Sequence, residues 1–132
     1  MSGDCDISIV LTAHDEGMLA FPTLRSAARA AVVAQTAGLI VELIAILDAA
    51  DAATCDVFRE WAERGEGPAP RIFETAFRDP NPARNFGIAR AGGRHVAILD
   101  ADDLWCAEWL LAARRAAEGE SRRSVWHPEY SV

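Results

Sequence analysis

The chain contains no lysine; all 13 of its basic residues are arginine. A phosphate-binding loop ending in Gly-Lys-Ser/Thr is therefore excluded, as is Schiff-base chemistry through a side chain. Arginine still suits a diphosphate, because its fork of donors matches phosphate oxygens. Positive charge is also scarce overall. The formal net charge is -7 over 132 residues, which argues against nucleic acid as a partner, since a phosphate backbone needs a basic face. Cys5, Cys55 and Cys106 stand far apart with no Cys-x-x-Cys spacing. They read as reduced thiols rather than disulfides or a zinc site. His14, His95 and His127 are equally scattered. No apolar run is long enough to span a membrane, and the first residues lack the charged and apolar regions of a signal peptide. A cytoplasmic protein is expected.

What is present is a repeating order of strand, polar loop and helix. Ile7 to Leu11 is a β-branched run followed by the polar turn Thr12–Gly17. A helix follows, with Pro22 in its first turn. Leu24, Ala27, Ala28, Ala31, Val32 and Gln35 are at helical spacing, and Gly38 is the stop. Leu39 to Leu47 is a second strand, closed by Asp48-Ala49-Ala50-Asp51. The next helix presents Val57, Phe58, Trp61 and Ala62 on one face and stops at Gly65. Arg71 to Phe77 is a shorter third strand, and Pro82 opens a helix that runs to Ala91 before Gly92-Gly93. A last helix spans Glu108 to Glu118, with Trp109, Leu110, Ala113, Ala116 and Ala117 inward, and Ser124 to Trp126 is read as the start of a fifth strand. Such alternation predicts an α/β fold: a Rossmann-like, mostly parallel sheet with helices on both faces.

The stretch from Gly92 to Trp105 concentrates the chemistry. Val96-Ala97-Ile98-Leu99 reads as a buried fourth strand, and it ends in Asp100, Asp102 and Asp103. Clustered carboxylates supply hard oxygen ligands suited to Mg²⁺ or Mn²⁺, which usually share their shell with substrate phosphates. A helix N-cap would need only one of the three. In parallel sheets, ligands bind beyond the C-terminal strand ends. The polar ends here, Thr12–Glu16, Asp48–Asp51 and Asp100–Asp103, are expected to share one edge.

Four blocks in order, Ser8–Glu16, Ile46-Leu47-Asp48, Ala83–Ala89 and Ile98–Asp103, make the chain resemble family 2 glycosyltransferases of the GT-A fold. The resemblance covers about Asp6 to Trp105. It implies that Ala13, His14 and Glu16 line a nucleotide pocket and that Asp48 contacts the nucleobase. It implies too that Arg84 lies beside the nucleotide, that Asp100 faces the ribose and that Asp102 binds a divalent metal, Mn²⁺ or Mg²⁺, bridging the diphosphate. The implied ligand is a nucleotide diphosphate sugar of UDP or GDP type, with an acceptor the sequence does not name. Thr12 stands where the family often has proline, and Ala49-Ala50 where Gly-Ser is common. Family members continue well past the metal motif into an acceptor-binding half that carries the catalytic base. Residues 1–132 thus read as one donor-binding domain, truncated at its C-terminus. Its catalytic base is unassigned, and its open sheet edge is expected to favour self-association.

Two other readings fit parts of the pattern. Asp100-x-Asp102 after a strand also resembles a haloacid-dehalogenase-like Mg²⁺-dependent phosphatase, although that motif normally opens its chain. A nucleotide-sugar-binding fragment without turnover is the non-enzymatic alternative. The remaining candidates have plainer assignments. His95 is structural or solvated, and His127 before Pro128 is in a turn. The Arg114-Arg115 and Arg122-Arg123 pairs are solvated faces. Trp105 and Trp109 are core, and Cys106 is inert packing.

Overall fold

A computed structural model describes residues 4–120 and 122–126. His127 lies outside these. The elements are β1 (Ile7–Ala13), α1 (Ala20–Thr36, preceded by a 3-10 turn, Gly17–Leu19), β2 (Val41–Asp48), α2 (Ala52–Arg64), β3 (Pro70–Thr75), α3 (Pro80–Arg90), β4 (His95–Asp100) and α4 (Trp109–Ala116). The four strands form one parallel sheet in the order β3-β2-β1-β4. Parallel pairing requires a crossover between successive strands, and the helices supply it.

Alternation along each strand divides the side chains between two faces. Ile7, Ile9, Leu11 and Ala13 of β1, with Val41, Leu43, Ala45 and Leu47 of β2, point to the face covered by α1, α2 and α4. Phe58 and Trp61 of α2 and Leu110 of α4 complete that core. α1 can lie close because its inner stripe is small: Ala20, Ala27, Ala28, Ala30, Ala31 and Ala34 are all buried. Val32 and Gln35, expected on that stripe, are exposed, and so are Ala62 of α2 and Ala116 of α4. Each is near the helical spacing but falls past the edge of its buried arc.

Among the described residues the other face carries only α3, over a small cluster of Ile44, Ile46 and Ala83 with Phe73 and Phe86 at its margin. The two faces are therefore unequally covered. This corrects the reading of Val96–Leu99 as a wholly buried strand. Leu99 is buried, but Val96 is 39% and Ile98 48% exposed. β4 is an edge strand, and α3 sits over β1 and β2 instead.

Several boundaries differ from the sequence reading. Thr12 and Ala13 continue β1, because Ala13 pairs with Leu47 and Thr12 with Asp100. β3 ends at Thr75, short of Phe77. α3 starts at Pro80, with the Asp79 side chain capping Asn81 N–H, so the helix opens two residues before Pro82, which stands inside the first turn. Ser124–Trp126 forms no strand. Cys106 is exposed rather than packed.

α3 rests on the sheet through Gly87. A Cβ there would lie 2.5 Å from Val10 Cγ1 and 3.2 Å from Ile46 Cγ1. Both neighbours are fully buried and β-branched, so neither side chain can turn away. Gly87→Ala gains about 1 kcal/mol of helix propensity but overpacks this contact at a cost of about 1–3 kcal/mol. The expected outcome is a less stable protein, read as a lower denaturant midpoint. An unchanged or raised midpoint would show that α3 can lift without loss.

Candidate functional site

The C-terminal ends of β1, β2 and β4 open on a cleft of about 330 Å³. Ala13, His14, Glu16, Asp48, Arg84, Asp100 and Asp102 all line it. Residues 89 positions apart in the chain thus meet because three parallel strands end at one sheet edge.

Asp48 is the most constrained of them. It is buried, and its Oδ1 accepts hydrogen bonds from Thr75 Oγ1 (2.7 Å) and Phe77 N (2.7 Å), while Oδ2 accepts one from Asp79 N (3.1 Å). The carboxylate of β2 therefore gathers the loop that leads from β3 into α3. Burial pushes its pKa up, but the hydrogen bonds from Thr75, Phe77 and Asp79, with a further pull from Arg78 N–H, outweigh burial and hold it below the usual carboxylate value. Oδ2, with a single bond, is the less committed oxygen. The main-chain carbonyl of Asp48 accepts from His14 Nδ1 at 2.7 Å, and this bond is the chief cause that raises the His14 pKa.

Glu16 folds back on its own turn: its Oε1 accepts from His14 N at 2.6 Å. The turn is tied to the next loop by Asp51 N–H on His14 O (3.1 Å) and Gly17 N–H on Thr54 Oγ1 (2.9 Å). Asp51 in turn caps α2 by accepting from Thr54 N and Thr54 Oγ1. Two loops at the cleft floor thus share one hydrogen-bonded network.

On the β4 side, Arg84 Nη2 donates to Asp100 Oδ1 at 2.9 Å, and Thr12 Oγ1 donates to the same oxygen at 3.2 Å. Ala101 is anchored by its N–H on Thr12 O (3.0 Å) and its carbonyl under Thr23 Oγ1 (2.9 Å). Asp102 follows this buried anchor and is exposed on the cleft wall. Asp103 beside it has its pKa raised by burial and then by the negative charges of Asp102 and Asp100. A strand end this negative suits a dication. Among the described residues, no three His, Cys, Asp or Glu side chains converge into a ready-made cage. The donor set fits Mg²⁺ or Mn²⁺ held by one or two carboxylates and completed by ligand phosphates, the usual pattern for Mg²⁺.

Sequence reasoning missed two residues that line the cleft, Arg78 and Asp79, and a third, Thr75, that bonds Asp48 from outside its lining. Asp79 before Pro80 carries a helix-start signal. Thr75 and Arg78 have no local signal, since their roles depend on a loop wrapped around Asp48.

The family described as "Glycosyl transferase family 2" matches residues 8–127. Among solved structures, residues 1–349 of TarS from S. aureus in complex with UDP superpose with a TM-score of 0.72 at 17% identity, covering 86% of this chain and 32% of that one. The mannosyltransferase PcManGT from Pyrobaculum calidifontis, in complex with GDP-Man and Mn²⁺, gives a TM-score of 0.71 at 24% identity, covering 86% and 32%. The likeness is one of fold, and this chain spans about a third of the length of either structure. No curated protein matches the chain.

Asp48→Ala leaves Phe77 N–H, Asp79 N–H and the Thr75 hydroxyl without their acceptor. The expected loss is about 2–3 kcal/mol of stability by denaturant titration. Asp48→Asn should lose less, since an amide oxygen can replace Oδ1 but an amide nitrogen cannot accept from Asp79. Because the folded pKa of Asp48 is depressed, its charged form contributes stability above the unfolded carboxylate value of about 3.9, and that contribution is lost as pH falls through the folded value. The gap between wild type and Asp48→Asn should therefore narrow below about pH 4. A gap that is constant with pH would show that the carboxylate charge contributes nothing.

Proposed function

The chain belongs to glycosyl transferase family 2, and from that membership we propose that its cleft binds a nucleotide diphosphate sugar for transfer to an acceptor. The observation that carries this reading is the convergence of Ala13, His14, Glu16, Asp48, Arg84, Asp100 and Asp102 on one cleft at the C-terminal sheet edge. That edge is where parallel α/β sheets take their ligands.

Each group has a place in the proposal. Asp48, at the β2 end, accepts a hydrogen bond from the nucleobase through Oδ2. A uracil N3–H or guanine N1–H can donate it; adenine N1 cannot. Ala13 and His14 form the floor between base and ribose, and Glu16 holds the turn in shape. Asp100 presents Oδ2 to the ribose while Oδ1 is occupied by Arg84 and Thr12. Arg84 thereby positions Asp100 and brings positive charge close to the diphosphate. Asp102 would hold Mn²⁺ or Mg²⁺ together with the diphosphate oxygens. Such a metal, when bound, supplies Lewis-acid stabilisation of the negative charge that grows on the leaving diphosphate. The complexes of TarS with UDP and of PcManGT with GDP-Man and Mn²⁺ support this choice of ligand and ion.

Transfer also needs an acceptor held near the sugar carbon and a base to take its proton. Glu108, Glu118 and Glu120, the described glutamates after Asp103, are all exposed and none lines the cleft. We place acceptor binding and the base outside residues 4–126, and the expected isolated chain binds donor without transferring sugar. Among the described residues β4 also leaves one edge unpaired, next to exposed Val96 and Ile98. Such an edge favours pairing with another chain, so the isolated chain should self-associate with concentration.

Calorimetry with UDP or GDP and Mn²⁺ tests the site. Asp102→Asn should abolish most of the Mn²⁺-dependent gain in affinity while circular dichroism and melting stay as in wild type. Equal Mn²⁺-dependent affinity in both proteins would remove Asp102 from the metal. Light scattering across a dilution series checks the second expectation. A monomer at every concentration that also transfers sugar would overturn both the missing base and the open edge.

A further inference from the structure

His14 lines the cleft at the end of β1, the strand that lies between β2 and β4. Three of its four polar atoms are committed to the protein. Its N–H donates to Glu16 Oε1 at 2.6 Å, its carbonyl accepts from Asp51 N at 3.1 Å, and Nδ1 meets the Asp48 carbonyl at 2.7 Å. A carbonyl oxygen can only accept, so Nδ1 carries a hydrogen in both the neutral and the charged ring. Nε2 is the remaining atom, and among the described residues no group takes it. It offers a lone pair when the ring is neutral and an N–H when the ring is charged. The residue is exposed, so the ring exchanges protons with solvent.

Most charges around the ring are negative. Asp15 and Glu16 share its loop, and Asp48 and Asp51 face it from the loop after β2. Across the cleft, the loop before α3 brings Asp79 and Arg78, the latter left-handed with φ at 59°. Arg84 of α3 is bonded to Asp100 at 2.9 Å, with Asp102 beyond them. The bond to the Asp48 carbonyl is the chief cause that raises the His14 pKa above its ordinary 6.5. Desolvation opposes it, and the charges of Asp15, Glu16 and Asp48 add to it.

We propose that donor binding at this cleft is coupled to a proton through His14, whose ring enters the complex as the cation and offsets the diphosphate charge from its Nε2 side. This rests on the nucleotide-sugar reading above. The diphosphate of a nucleotide sugar is a diester and stays ionised throughout the neutral range, so the ligand brings no titrating phosphate of its own. It enters a cleft whose acids already outnumber its cations. The charged ring compensates the added negative charge; the neutral ring does not. By reciprocity the bound ligand raises the His14 pKa further and takes up part of a proton as it binds. Affinity is therefore highest below the free His14 value, and the gain is lost as pH rises through the value in the complex. The opposite arrangement, a neutral Nε2 accepting from a ribose hydroxyl, would release protons on binding.

Calorimetry of the 132-residue chain with GDP-mannose and with UDP-glucose, each with Mg²⁺, in two buffers of different ionisation enthalpy, reads the protons exchanged. Wild type should take up a fraction of a proton at about pH 7, and its affinity should fall about fivefold from about pH 6 to about pH 8.5. His14→Asn keeps a donor for the Asp48 carbonyl but has no titrating ring. It should exchange no proton and bind at every pH with the weaker affinity that wild type shows at the alkaline end. His14→Gln serves the same comparison if the asparagine variant is unstable. In wild type, the histidine ring signal that both variants lack should titrate at a higher pH with ligand than without, by nuclear magnetic resonance. Proton release, or affinity that rises with pH, would put a neutral ring on a hydroxyl and overturn the inference, as would proton uptake that persists in the variants. Wild type that binds neither nucleotide sugar overturns the proposed function itself, and the coupling with it. Wild type that binds without exchanging a proton overturns only the present inference.

Discussion

A buried carboxylate at the end of β2 governs how the cleft is built. Asp48 cannot be buried as an anion without donors, because the lost hydration must be replaced. The donors come from the loop between β3 and α3, which is thereby closed over the strand end. β2 carries a second such group at its other end. Glu42 Oε2 accepts from Ser8 Oγ and from Gly92 N, and Oε1 accepts from Arg71 Nη1. Burial pushes the pKa of Glu42 up, yet these bonds more than offset it, so its value is lowered. The two carboxylates stand on one face of the sheet and seize the loops before and after α3. Between them they locate the helix that carries Arg84, and Gly87 lets it settle on Val10 and Ile46.

The electrostatics of the cleft follow from the same arrangement. Acids outnumber cations along its walls, as they do in the whole chain. An anionic ligand entering such a field needs compensation close at hand. Two arginines line the cleft, Arg78 on the loop after β3 and Arg84 bonded to Asp100 at the end of β4. A dication drawn by Asp102 would turn the most negative end of the cleft into one that attracts phosphate.

Among the described residues the sheet is fully covered on one face and only partly, by α3, on the other. α1, α2 and α4 seal a core that includes Phe58, Trp61 and Leu110, whereas the opposite face of β4 leaves Val96 and Ile98 in contact with solvent. Exposed branched apolar residues on an edge strand are an unsatisfied surface. The solved structures of this fold are about three times longer than the chain. The cleft lies at the strand ends described here, on loops anchored to the covered sheet.

The order of strands and helices was legible in the chain because period-2 and helical patterns, broken by Gly and Pro, are local properties. So was the acidic loop after β4, since three carboxylates within four positions are visible without a fold. Burial of the run Val96–Leu99 was misread, because a continuous apolar stretch does not say which faces its neighbours cover. The expected strand at Ser124–Trp126 did not form, although its residues favour it. Nothing local marks Arg78 as left-handed, or Thr75 as the partner of an aspartate one strand earlier. The sequence by itself determined the secondary elements, the carboxylates at their ends and the family. Tertiary structure alone decided which strand became the edge and which oxygen of Asp48 or Asp100 was already taken. It also decided which cleft arginine, Arg84, was bonded to Asp100. Those outcomes depend on hydrogen bonds between residues far apart in the chain, which exist only once parallel strands bring their ends together.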